Sequence, residues 1–126
     1  MSYSDYKTTR AVVIDRPYSA GLREIKLTEP REDAFIARTY FSAISTGTDM
    51  KTYKGMQHPE QCWYPLVPGY ETAGVIVEAP KPGADLSRIP ESARNLKPGD
   101  RVMINECRQN GDVCAAWGGG SEYTVK

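Results

Sequence analysis

The chain has 126 residues, three cysteines and one histidine, and its sixteen Lys and Arg match its sixteen Asp and Glu. That length gives room for one domain, and the charge balance leaves no overall field to draw it to nucleic acid or to an anionic membrane surface, so neither is expected as a partner. No run reaches the ~20 apolar residues of a membrane helix, and Met1 to Arg10 lack the apolar stretch of a signal peptide, so a cytoplasmic protein is the expectation.

The first element is the β-branched run Thr9 to Asp15. A turn carrying Pro17 and Gly21 leads to a segment in which Leu22, Ile25 and Leu27 are spaced by charges, as on a half-buried strand. The two predict a hairpin. Ala34 to Ile44 is the longest strand expected, with Phe35, Ala37, Thr39 and Phe41 on one face and Ile36 and Tyr40 on the other. Thr46 or Thr48 is then placed to cap a short helix through Asp49 to Tyr53, which Gly55 would end.

Pro65, Pro68 and Gly69 precede a β-rich run, Ala73 to Ala79. Pro80 to Pro98, with four prolines, reads as a long surface loop with one helical turn at Pro90 to Arg94. Gly99 to Ile104 and Gly118 to Lys126 supply two more short strands. Many short strands between Gly and Pro turns predict a mainly β domain with minor helix.

An odd number of cysteines, Cys62, Cys107 and Cys114, argues against a disulfide-stapled secreted fold. Cys107 and Cys114 read as unpaired thiols near a loop; the alternatives are a redox pair or half of a metal site. The one histidine, His58, stands before Pro59 in a polar segment and reads as an exposed loop residue.

Four stretches carry a resemblance across the chain: Ser45 to Gly55, Pro65 to Ala79, Leu96 to Ile104 and Gly118 to Lys126. In this order and spacing they resemble the N-terminal GroES-like domain of the medium-chain dehydrogenase/reductase superfamily. Ile44 to Asp49 and Tyr64 to Glu71 are similar to the branch around bacteriochlorophyllide dehydrogenases. The resemblance implies a mainly β, partly open GroES-like barrel with short helices over residues 1–126, incomplete relative to the full catalytic domain. It also implies an oxidoreductase acting on a small alcohol or carbonyl compound.

Zinc-dependent members hold their catalytic metal with a cysteine where this chain has Thr46, and with a histidine where it has Tyr70. A threonine hydroxyl and a phenol are poor replacements for thiolate and imidazole. The four-cysteine structural lobe of many members is matched only by Cys107 and Cys114. No zinc is therefore expected at either place. The resemblance then makes Thr46, Thr48 and Tyr70 the hydroxyls that contact substrate oxygen, with Asp49 and Glu71 as orienting carboxylates. Two readings of Tyr70 stand side by side: a hydrogen-bond or proton donor, or a filler of the space left by histidine and metal.

No G-x-G-x-x-G turn occurs in these residues, so NAD(P) is expected to be bound by a Rossmann domain that this chain lacks. On that reading the chain is truncated and inactive alone; the alternative is a stand-alone GroES-like binding or interaction module. Exposed apolar residues around Trp63, Tyr64 and Trp117 favour self-association into a homo-oligomer.

Overall fold

A computed structural model describes residues 7–107 and 112–126. The first two apolar runs form an antiparallel hairpin of β1 (Thr8–Arg16) and β2 (Ser19–Lys26). The reversal lies at Pro17 and Tyr18, with Tyr18 at φ 64°. Pro17 presets one turn dihedral and Tyr18 takes the left-handed one, so the turn closes before Gly21. Gly21 therefore sits inside β2 opposite Val13, and not in the turn as the sequence suggested. Ile25 and Leu27 point into the core, whereas Leu22, of opposite parity, is 75% exposed.

The expected strand after Ala34 is β3 (Ile36–Ser42). Its strict alternation fails. Register shifts at Ile36/Ala37 and Thr39/Phe41 bury Ile36 and Ala37 in succession and leave Phe41 76% exposed. An extra residue on one strand of a pair breaks the period of two, which is the physical reason.

Helix α1 (Thr48–Tyr53) follows, and its N-cap, Gly47, has no side-chain cap. Neither Thr46 nor Thr48 caps it. Instead the Thr48 N–H donates to Ser45 Oγ at 3.1 Å, and the Ser45 N–H donates to the Asp49 carboxylate at 2.8 Å. This reciprocal pair satisfies two donors much as a capping box does. The predicted stop holds: Gly55 is at φ 78°, the Met56 N–H reaches the Lys51 carbonyl, and the Gly55 N–H reaches that of Thr52. Those are the two bonds of a Schellman ending.

Five more strands follow: β4 (Leu66–Pro68), β5 (Thr72–Glu78), β6 (Arg101–Ile104), β7 (Cys114–Ala116) and β8 (Tyr123–Val125). One sheet has the order β2-β1-β4-β7, with β4 and β7 parallel. The other has the order β6-β5-β3-β8 and is antiparallel. The fold is mainly β with little helix, an open GroES-like arrangement and no closed barrel, as expected. Pro80 to Pro98 carries a single 3-10 turn, Glu91–Ala93, inside the predicted helical turn.

The two sheets are joined by the segment entering β8. Val12 donates to the Gly120 carbonyl at 2.8 Å, and Glu122 donates to Arg10 at 2.9 Å. Thr39 of the other sheet then donates to the Glu122 carbonyl at 2.8 Å. Apolar clusters lie to either side: Leu27, Ala34, Ile36 and Val125 in one, Ala11, Val13, Ile25, Val67 and Val113 in another. Among the described residues no helix is long and apolar enough to cross a membrane.

Candidate functional site

Tyr70 stands on the corner between β4 and β5, and that corner is fixed by backbone. Gly69 turns it at φ 102°, and a Cβ there would lie 3.1 Å from the Gly120 nitrogen and 3.3 Å from the Gly119 carbonyl carbon. Only glycine meets both conditions at once. The amides of Gly118, Gly119 and Gly120 donate to the carbonyls of Val67, Gly69 and Pro68 at 2.8–2.9 Å. Thr72 Oγ1 adds a bond to the Gly119 carbonyl at 3.3 Å. Tyr70 thus projects from a clamped turn, and its ring meets that of Trp117 edge-on.

Tyr70 and Thr48 line one open cleft of about 550 Å³, together with Asn105, Glu106, Trp117 and Lys126. Thr48 arrives there as the first residue of α1. The structure therefore brings together two of the five residues singled out in the sequence. Thr46 is exposed on the loop before α1, and Glu71 is exposed beside Tyr70. Neither lines this cleft. The Glu71 carbonyl accepts the Ala43 N–H at 2.9 Å, which extends the β3–β5 pairing.

Asp49 is only 7% exposed and borders a different hollow, a wide trough shared with Val12, Leu22, Ile44 and Met50. One carboxylate oxygen holds Ser45, while Oδ1 is buried without a hydrogen-bond partner. Its visible work is to fix the loop that delivers Thr48.

Asn105 and Glu106 follow a strand end that no motif marks, and Lys126 ends the stretch from Gly118 without any sign in the sequence of a place at the site. Trp117 was noticed only as an apolar side chain.

The donor set of the cleft does not suit zinc. It offers a phenol, a hydroxyl, an amide, one carboxylate and an ammonium, where zinc takes thiolate, imidazole and carboxylate. Among the described residues no group of three or more His, Cys, Asp or Glu is placed to hold a metal. His58 is exposed, its Nδ1 accepting the Glu60 N–H at 3.3 Å, as expected for a loop residue.

All three cysteines are free thiols. Cys114 packs in one buried cluster with Cys62, Ile14, Leu66 and Ala116, and its thiol donates to the Gln61 carbonyl at 3.7 Å. Cys107 lies against Gly118, with its N–H on the Trp117 carbonyl. Burial pushes the Cys107 thiol up to about 11, against a weaker lowering by the neighbouring Thr124 side chain and the charge of Lys126. Burial raises Cys62 and Cys114 as well. Such thiols are poor nucleophiles.

Residues 32–125 match the family described as alcohol dehydrogenase GroES-like domain. A 2-desacetyl-2-hydroxyethyl bacteriochlorophyllide A dehydrogenase from Cereibacter sphaeroides is 39% identical over 97 residues, covering 76% of this chain and 27% of its own length. The protein of the same name from Rhodobacter capsulatus is 30% identical over 119 residues, covering 93% of this chain and 34% of its own length. Both agree with the branch resemblance read from Ile44 to Asp49 and Tyr64 to Glu71. Among solved structures, the D-arabinose dehydrogenase from Sulfolobus solfataricus superposes with a TM-score of 0.68 at 19% identity, over 94% of this chain and 38% of that one. A thermostable alcohol dehydrogenase from Pyrobaculum aerophilum with cobalt and zinc bound gives 0.64 at 22% identity, over 94% and 39%. These two likenesses speak for the fold. The chain spans only about a third of the length of its relatives.

Proposed function

Because the chain belongs to the family of alcohol dehydrogenase GroES-like domains, we propose that it forms the substrate-side, N-terminal domain of an NAD(P)-dependent oxidoreductase that works on a small alcohol or carbonyl compound without a catalytic zinc. The observation that carries this reading is the placing of Tyr70 and Thr48 in one cleft, walled by Trp117.

Alcohol–carbonyl interconversion needs something electron-withdrawing at the substrate oxygen while a hydride moves at carbon. A nicotinamide cofactor, when bound, would supply or take the hydride. No strand-to-helix glycine turn stands in these residues, so we assign its binding to another domain. This chain's part is to hold the oxygen. The Thr48 and Tyr70 hydroxyls donate hydrogen bonds to it, and Tyr70 is the group placed to exchange a proton with it. Trp117 fixes the Tyr70 ring and keeps water from one side. Asp49 acts through Ser45 as a positioning residue for Thr48. Thr46 and Glu71 stay in the proposal as exposed groups next to Thr48 and Tyr70 in the chain, outside the lining of the cleft.

Alone, these 126 residues are proposed to turn over nothing. The relatives' names speak of a hydroxyethyl compound; the proposal extends to the class of alcohols and ketones and not to that molecule. Homo-oligomerisation belongs to the same reading: of the residues the sequence offered for it, Trp63 is exposed but Tyr64 and Trp117 pack against the Cys114 cluster, and its support is now Phe41, Ile44 and Met103 at the surface.

The test uses the longest natural polypeptide that contains this chain. Tyr70→Phe should lower kcat by at least about 100-fold, in the range of a lost acid–base group, with KM little changed. An unchanged kcat sinks the role given to Tyr70. Metal analysis should find far less than one zinc per chain, and about one per chain would refute the metal-free site.

A further inference from the structure

The segment from Pro80 to Pro98 is longer than a connection between neighbouring antiparallel strands needs. Loops beyond about 12–15 residues in a compact domain usually carry a task. This one is organised. The Ile89 N–H donates to Leu86, Ala93 to Pro90 and Leu96 to Ala93. The Arg94 Nε–H donates to the Ile89 carbonyl at 2.8 Å. At its end the Gly99 N–H binds the Ile76 carbonyl at 2.8 Å, tying the loop to β5.

Between this loop and the sheet lies a hollow of about 350 Å³, at the lower end of the range of small-molecule sites. Phe35, Ile76, Ile89, Leu96 and Val102 give it an apolar lining. Its rim is basic. Arg31 lies there with Asp33, and the two satisfy each other through bonds of 3.0–3.1 Å. Arg88 and Lys126 also border the hollow, and neither joins an ion pair among the described residues. With Arg31 and Asp33 cancelling, the rim carries surplus positive charge over an apolar interior.

We propose that this hollow binds a small amphipathic anion, an apolar body with one carboxylate head, with Arg88 and Lys126 at the head and the loop's Ile89 and Leu96 against the body. Charge selects the head, since an anion meets two uncompensated cations and a cation is repelled. Burial of the body supplies the non-directional part of the affinity. The proposal does not depend on the oxidoreductase reading, because it uses none of the residues of the Tyr70 cleft except Lys126, which borders both.

The test is a nitrogen–proton NMR titration of the chain with sodium octanoate, octan-1-ol and octylammonium chloride. Octanoate should move the amides of Ile89, Ala93, Leu96 and Val102 and bind about fivefold tighter than octan-1-ol, the advantage of a partly exposed ion pair. Octylammonium should bind more weakly than the alcohol. Arg88→Glu should abolish or invert the order of octanoate and octylammonium, and Ala93→Trp should fill the hollow and remove the shifts for all three. If Ala93→Trp loses the dispersed spectrum, the Arg88→Glu titration decides alone. Equal binding of octanoate and octan-1-ol, an order untouched by Arg88→Glu, or shifts confined to the trough around Ile44 and Met50 would each overturn the proposal.

Discussion

The ring of Tyr70 meets the ring of Trp117 edge-on, with centroids 6.0 Å apart and planes at 70°. Such pairs contribute about 0.5–1.5 kcal/mol beyond their buried area. The contact joins the β4–β5 corner to the residue that follows β7. A double-mutant cycle of Tyr70→Leu and Trp117→Leu, read by urea unfolding, should therefore return a coupling of about 0.5–1.5 kcal/mol. Strict additivity would mean that the two rings do not support each other.

The glycines divide sharply by what a methyl group would meet. A Cβ on Gly119 would collide with Thr72 Oγ1 and would sit 2.7 Å from the Gly69 carbonyl oxygen, which is backbone and cannot swing away. Gly119→Ala should lower stability by about 2–3 kcal/mol. Gly21, inside β2, has nothing within 4 Å of that position, so Gly21→Ala should raise stability by about 0.5–1 kcal/mol. Equal midpoints of denaturation for both variants would contradict the clamp described at the corner.

Asp49 separates a hydrogen bond from a charge. Its Oδ2 accepts the Ser45 N–H, while its buried Oδ1 has no partner. Asp49→Ala leaves the Ser45 amide without its acceptor and should cost about 1–2 kcal/mol. Asp49→Asn keeps an acceptor and removes the charge, so it should cost less than the alanine variant. Thermal melts of the three proteins check the order, and an asparagine variant weaker than alanine would show that the carboxylate charge itself is required.

The half-buried Cys107 predicts the alkaline limb of the stability curve. Its folded pKa is raised to about 11 from the 9.0 of an ordinary thiol, chiefly by burial. Between those values the unfolded chain releases the proton and the folded one keeps it, so rising pH favours unfolding. The stabilising preference for the neutral thiol is complete below pH 9 and is lost as pH climbs through about 11. Cys62 and Cys114 act in the same direction. Melting temperature should fall over this window, and Cys107→Ala should make the fall shallower; an identical slope would assign the effect elsewhere.

Residues with a period were legible in the sequence; residues placed by their partners were not. Thr9 to Asp15 and the loop with its turn at Glu91–Ala93 emerge as read, because β-branching and proline act locally. Strands β4 and β7 were missed, since three residues give no period and β4 ends on Pro68. The alternation read along Ala34 to Ile44 failed at two bulges that only the pairing with β5 creates. Gly74 illustrates the same divide: a Cβ there would collide with the Arg38 carbonyl on the neighbouring strand, which nothing near position 74 announces. At the site, Thr48 and Tyr70 were found through family resemblance. Asn105, Glu106 and Lys126 reach the cleft by topology alone.

The three amides from Gly118 to Gly120 that clamp Val67, Pro68 and Gly69 also set an order of assembly. During synthesis the chain emerges from its N-terminus. The β1–β2 hairpin and helix α1 have their own local partners as soon as they appear. The corner bearing Tyr70 has an earlier bond, from the Ala43 N–H to the Glu71 carbonyl, but is clamped only when residues some fifty positions later arrive. A ribosome paused before Gly118 would thus carry the hairpin, the helix and the strands β3, β5 and β6 that pair with one another, but no clamped corner. The candidate site is the last part of this domain to come into existence, and a truncation that removes Gly118 to Gly120 erases it while leaving both of its sequence motifs intact.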